Sequence, residues 1–280
     1  MEIPAMSALW FNQLIRYLES RFPLQLYLPC ALFLVVAGCS GGRALSPAGL
    51  AASAVLALLL LLQFRLLDDL CDITRDRKEH PERVLVRATS LVPFYLLLCT
   101  VFLANGIIVT LQPGPEHRLV AFLLLNAAAL LWYYRLRFVF TGRIFAYHIV
   151  VGKYPVCAYL LSGTGGERWR LLLALALVYL CFTLYELLHD RSLHAVTGAV
   201  VTRNVEFSAL FAVSALMTVA LIGSRPAVVG IQGLLSTVIL AVLPELFRRR
   251  QFQRSSLHSG YALFILCFIV ILNFSLGVRV

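Results

Sequence analysis

Four aspartates fall within nine residues at the end of an apolar stretch, in the run Arg65-Leu66-Leu67-Asp68-Asp69-Leu70-Cys71-Asp72-Ile73-Thr74-Arg75-Asp76. At about 100° per residue, Asp68, Asp72 and Asp76 lie about 40° apart on a helix and form one stripe, with Asp69 at its edge and Arg65 within it. Like charges on one face repel, so the pattern calls for cations to share them. A hard divalent ion such as Mg²⁺ takes one or two carboxylates together with water and phosphate oxygens. Arg65 is spaced to reach the same phosphates. A solvated helix end explains Arg75 to Arg83, but not acids that begin while the helix is still apolar. A weaker echo stands at Glu186 and Asp190, four apart and therefore on one face. Two acidic faces at one level can hold metal ions between them and a diphosphate on those ions. Lys153, in Val151-Gly152-Lys153-Tyr154-Pro155, is a cation inside an apolar segment and either meets a phosphate or pairs with an acid of another helix. His148, in the same segment, reads as a hydrogen-bonded packing residue.

The elements that carry these residues follow from composition. The chain has 280 residues, 60% hydrophobic and only 14% charged, where a soluble domain carries about a quarter charged. Apolar runs of roughly 20 residues recur, the length that crosses a hydrocarbon core of about 30 Å, and in lipid such runs must be helices. Nine candidate spans lie near 24–42, 48–70, 88–110, 119–138, 144–162, 170–188, 205–223, 227–246 and 259–277. Turn residues separate them, as in Gly41-Gly42-Arg43 and Gln112-Pro113-Gly114-Pro115. The expectation is an all-α polytopic membrane protein with a single membrane domain over residues 24–280. Residues 1–23 place Trp10, Phe11, Leu14, Ile15 and Leu18 between Arg16, Glu19 and Arg21, the pattern of an amphipathic helix at the interface.

The net charge of +10 is concentrated in alternate loops, among them Arg75 to Arg87, Arg135 to Arg143 and Arg248 to Arg254. That is the positive-inside pattern, which places the N-terminus in the cytoplasm and argues against nucleic acid as a partner. Seven scattered cysteines without a CxxC pair suggest neither a disulfide framework nor zinc.

Asp68-Asp69-x-x-Asp72-x-x-x-Asp76 after the second of nine spans resembles the first aspartate-rich motif of the UbiA superfamily of intramembrane prenyltransferases. With Arg65 before it and Pro81-Glu82-Arg83-Val84 after it, the run is similar to a divergent, mostly uncharacterised bacterial branch of that superfamily. The resemblance extends over nearly the whole chain through the acid-bearing segments after spans two and six. It implies a helical bundle around a central cavity, with Mg²⁺ held by Asp68, Asp69, Asp72 and Asp76 on one side and by Glu186 and Asp190 on the other. An isoprenyl diphosphate would bind there at the cytoplasmic end, and its allylic cation would be attacked by a lipophilic acceptor. Arg65 and Lys153 would contact phosphate, and Tyr133-x-x-x-Arg137 stands where the family has Tyr-x-x-x-Lys. Aromatic faces such as Tyr133, Tyr134 and Tyr185 would steady a cation. Asp68 replaces a frequent Asn, and Glu186 replaces the usual first Asp of the second motif. A terpene cyclase of the same fold, or a transporter or assembly protein that kept the fold without catalysis, are the alternatives. The expected location is a bacterial inner membrane.

Overall fold

The computed structural model describes residues 3–40, 46–112, 116–139, 148–163 and 168–189. The spans expected near 205–223, 227–246 and 259–277, and Asp190, lie outside them. Among the described residues the regular elements are all helical: α1 (Ile3–Arg21), α2 (Leu24–Cys39), α3 (Pro47–Cys71), α4 (Ile73–Glu79), α5 (Val84–Arg87), α6 (Val92–Leu111) and α7 (Arg118–Leu131). Helix α7 runs on through a π turn, Trp132–Leu136, to Val139, and α8 (Lys153–Leu160) and α9 (Arg168–His189) follow. Among the described residues three helices are long and apolar enough to cross a bilayer, namely α3, α6 and Arg118–Val139; the last part of α1 and α2 reach that length only when taken together, across a bend of 69°. The chain is a multi-pass membrane protein.

Local chemistry sets the ends and bends. Ser46 caps α3 by accepting from the Gly49 N–H at 3.1 Å, with Pro47 in the first helical position. At the bend between α1 and α2, Pro23 is the N-cap, and Phe22 before it stacks on Tyr27 one turn into α2 at 3.9 Å between centroids. That is a hydrophobic staple, which fixes the angle at which a chain enters a helix. At the other end of the bundle Arg118, only 2% exposed, donates to the Leu160 carbonyl and so places a cation on the C-terminus of α8.

Helix α3 is central. Half of its most apolar window is buried, against 22% for α6 and for Arg118–Val139, whose Leu96, Leu103, Ile107 and Leu124 face outward into lipid. Its inner face, with Leu56, Leu60 and Phe64, shares one core with Phe33, Leu34 and Ala37 of α2, and α8 and α9 pack on α2 to complete that core. A lipid-facing helix gains little from apolar burial, so polar contacts and close packing hold such a bundle together. Gln63 supplies one: its Nε2 donates to Asn126 Oδ1 at 2.5 Å, and Asn105 Nδ2 donates to its Oε1 at 2.8 Å, joining α3, α6 and α7. Gly38 supplies close packing, because a Cβ built there would lie 2.5 Å from the Ala158 carbonyl oxygen of α8.

Candidate functional site

The acidic run does not lie on one continuous helix. Helix α3 ends at Cys71, Asp72 stands at φ −95° and ψ 1° between two helices, and Asp76 belongs to α4. The break follows from what lies around it. Arg137 donates from Nη1 to Asp72 Oδ1 at 2.5 Å and from Nη2 to the Cys71 carbonyl at 2.8 Å, capping the C-terminus of α3 with a cation. Arg137 follows directly on the π turn of α7. The additional residue of that turn shifts the phase of the helix beyond it.

The repulsion among the four carboxylates is met by the protein's own cations, where the spacing alone calls for shared metal. Lys153 Nζ donates to Asp68 Oδ2 at 2.7 Å, Arg83 pairs with buried Asp76, and Arg137 holds Asp72. Asp69, with 6% of its side chain exposed, receives two guanidinium forks. Arg21 donates to its Oδ1 at 2.6 Å and Oδ2 at 3.1 Å, and Arg65 to the same oxygens at 3.0 and 3.1 Å. The Tyr17 hydroxyl adds a bond to Oδ2 at 2.9 Å.

A cavity of about 380 Å³ opens beside this cluster, between the α1–α2 bend, α3, α8 and α9. Arg21, Arg65 and Lys153 line one part of it with Glu19, Asp68 and Glu186; Leu26, Leu61, Phe64 and Phe182 line another, with the rings of Tyr27, Tyr154 and Tyr185. Tyr154 and Phe182 stack at 3.7 Å between centroids and 9° between planes, which makes one flat aromatic wall.

Of the residues singled out in the sequence, Arg65, Asp68, Lys153, Tyr185 and Glu186 meet at this cavity. Asp69 sits behind it on Arg21 and Arg65. Asp72, Asp76, Tyr133 and Arg137 are not among its lining residues. Tyr133 is buried in the core with Arg137 5.9 Å from its ring, Tyr134 is 57% exposed, and Asp190 lies outside the described residues. His148 is the hydrogen-bonded packing residue expected, 2.6 Å from the Tyr179 hydroxyl. Sequence reasoning missed Tyr17, Arg21, Glu19, Tyr27 and Tyr154. The four-residue spacing of Tyr17 and Arg21 on the polar face of α1 was the available signal.

The donor set at the cavity suits a hard cation in part. Asp68 of α3 and Glu186 of α9 bring carboxylates to its wall, and Asp68 Oδ1 is buried without a hydrogen-bond partner. Two carboxylates are what Mg²⁺ takes when phosphate and water complete its shell. Among the described residues no three His, Cys, Asp or Glu side chains converge into a cage that would hold a metal unaided.

No family model matches the chain, and no curated protein matches it. Among solved structures, the chain is similar to the apo structure of a UbiA homolog from Aeropyrum pernix K1, at 16% identity and a TM-score of 0.63, over 87% of this chain and 97% of that one. The fold that the aspartate-rich run implied is therefore the fold found.

Proposed function

We propose that this chain is a Mg²⁺-dependent intramembrane prenyltransferase of the UbiA superfamily, transferring an isoprenyl group from an isoprenyl diphosphate to a lipophilic acceptor. The observation that carries the reading is the cavity, charged on one part of its wall and apolar and aromatic on the other, which is the shape of an anionic headgroup on a hydrocarbon chain. Its lining carries three basic and three acidic side chains, which cancel formally. A diphosphate entering it is multiply negative, so the counter-charge has to arrive with the ligand, as a divalent cation does.

In this reading Asp68 and Glu186, with Asp190 as the further member of the second group, hold the cation. Bound Mg²⁺ supplies neutralisation of the departing diphosphate. Arg21, Arg65 and Lys153 donate to phosphate oxygens, a preorganised set of cations aimed at charge that grows as the bond to the allylic carbon breaks. The Tyr154–Phe182 wall, with Tyr27 and Tyr185, keeps water from the allylic cation and offers it aromatic faces. Asp72 and Asp76 shape the same end of the bundle through Arg137 and Arg83. The basic loops put this end in the cytoplasm, in keeping with a bacterial inner membrane.

The test uses purified protein in detergent with a panel of radiolabelled isoprenyl diphosphates and a lipid extract as acceptor, with and without Mg²⁺. Label should move into a lipid only with Mg²⁺, and Asp68→Asn and Glu186→Gln should each reduce transfer by about 100-fold. Label released as a cyclised hydrocarbon would identify a cyclase. Absence of any diphosphate binding to the wild type sinks the proposal.

A further inference from the structure

The geometry points to Asp69 as a positioning residue that holds Arg21 and Arg65 at the cavity, and not as a ligand of the cation. This rests on the reading of the cavity as a phosphate-ester site. A carboxylate offers about four lone-pair positions. Asp69 already accepts five hydrogen bonds, two on Oδ1 and three on Oδ2, all between 2.6 and 3.1 Å. No oxygen position is left for a metal. Asp68, one residue earlier, contrasts with it: Oδ2 meets Lys153 and Oδ1 has no hydrogen-bond partner.

The arrangement also explains how two guanidinium groups stand side by side. Alone they would repel; with one carboxylate between them the set carries a single positive charge and both planes are fixed. Each guanidinium spends its Nε and Nη2 on Asp69, so the Nη1 group of each stays outside that contact. Both arginines line the cavity. Arg21 arrives from the interfacial helix, whose entry angle is fixed by the Phe22–Tyr27 stack and whose Tyr17, one turn earlier, is fully buried on the same carboxylate. The interfacial helix is therefore one wall of the binding site and not merely an anchor.

The experiment uses the full chain in detergent micelles with Mn²⁺ and inorganic pyrophosphate as probes, reading bound Mn²⁺ by electron paramagnetic resonance and pyrophosphate affinity by calorimetry. Asp68→Asn is expected to weaken Mn²⁺ by about tenfold or more, and Asp69→Asn by less than about threefold. Asp69→Asn and Arg21→Gln should each weaken pyrophosphate by about tenfold, and the double variant by no more than either alone. Amide hydrogen exchange over residues 9–21 should accelerate in Asp69→Asn. Should Asp69→Asn fail to fold, Tyr17→Phe removes one donor without a charge, and pyrophosphate should then weaken by about threefold with Mn²⁺ unchanged. Loss of Mn²⁺ in Asp69→Asn equal to that in Asp68→Asn, independent effects of Asp69 and Arg21, or unchanged exchange in α1 would each overturn the inference. A wild type that binds pyrophosphate in this pattern but transfers no isoprenyl group sinks the transferase reading alone.

Discussion

Replacing Gly38 by alanine tests whether the cavity depends on the close contact between α2 and α8. The added Cβ would meet the Ala158 carbonyl oxygen at 2.5 Å and Leu161 at 3.1 Å, and both neighbours are too close to the backbone to swing aside. Ordinary C···O contacts start near 3.3 Å, so α8 has to retreat by about 0.8 Å. Overpacking of this kind costs about 1–3 kcal/mol. Lys153 rides on α8, and the same retreat would stretch its 2.7 Å bond to Asp68 to about 3.5 Å, beyond hydrogen-bond range. Gly106→Ala is the control, since its Cβ would stand 3.6 Å from a ring carbon of Phe122, an ordinary contact. Both changes gain about 1 kcal/mol of helix propensity, so their difference isolates the clash. Thermal unfolding in detergent should show Gly38→Ala less stable than Gly106→Ala by about 1–3 kcal/mol, with isoprenyl transfer lowered by about 10- to 100-fold. Equal stabilities for the two variants would refute the close contact, and lost stability with full transfer would refute the link from α8 to the site.

Three further expectations concern charges and amides away from the cavity. Arg83→Gln leaves Asp76, 4% exposed, without its cation and should cost about 3–5 kcal/mol. Glu79→Gln breaks the pair with Arg75, whose side chains are 49% and 63% exposed, and should cost about 0.2–1 kcal/mol by the same unfolding assay. Gln63→Leu strands the amides of Asn105 and Asn126 in the bundle and should cost about 1–3 kcal/mol. Changing all three residues to leucine should recover most of that loss; a triple variant less stable than the single one would show that the chain of amides stabilises the bundle in its own right.

The helical spans and the acids were legible because both rest on local pattern. Hydrophobic length set α3, α6 and α7, and a charge inside an apolar run is conspicuous wherever it lies. What the pattern left out was partnership. Periodicity treats the helix through Asp68, Asp72 and Asp76 as continuous, yet α3 stops at Cys71, where Arg137, 65 residues beyond Asp72, meets the Asp72 carboxylate and the Cys71 carbonyl. The same spacing shows four like charges and suggests metal as their remedy; apart from Arg65, an i,i+4 partner of Asp69, the basic residues that compensate them come from α1, α7, α8 and the segment before α5, and no local rule joins those. The sequence alone allows Lys153 either a phosphate contact or an ion pair. It makes the ion pair with Asp68 at the wall of the cavity.

The ion pairs also impose an order on biogenesis. Asp69 finds Tyr17 and Arg21 in chain already made, but Asp72 waits 65 residues for Arg137 and Asp68 waits 85 for Lys153. At about 5–20 residues per second of synthesis, Asp68 is without its lysine for roughly 4–17 s. Over that interval α3 carries a carboxylate whose cation has not yet been made, and an unpaired charge is costly in lipid. The charged end of the bundle is thus completed by partners made well after α3 itself.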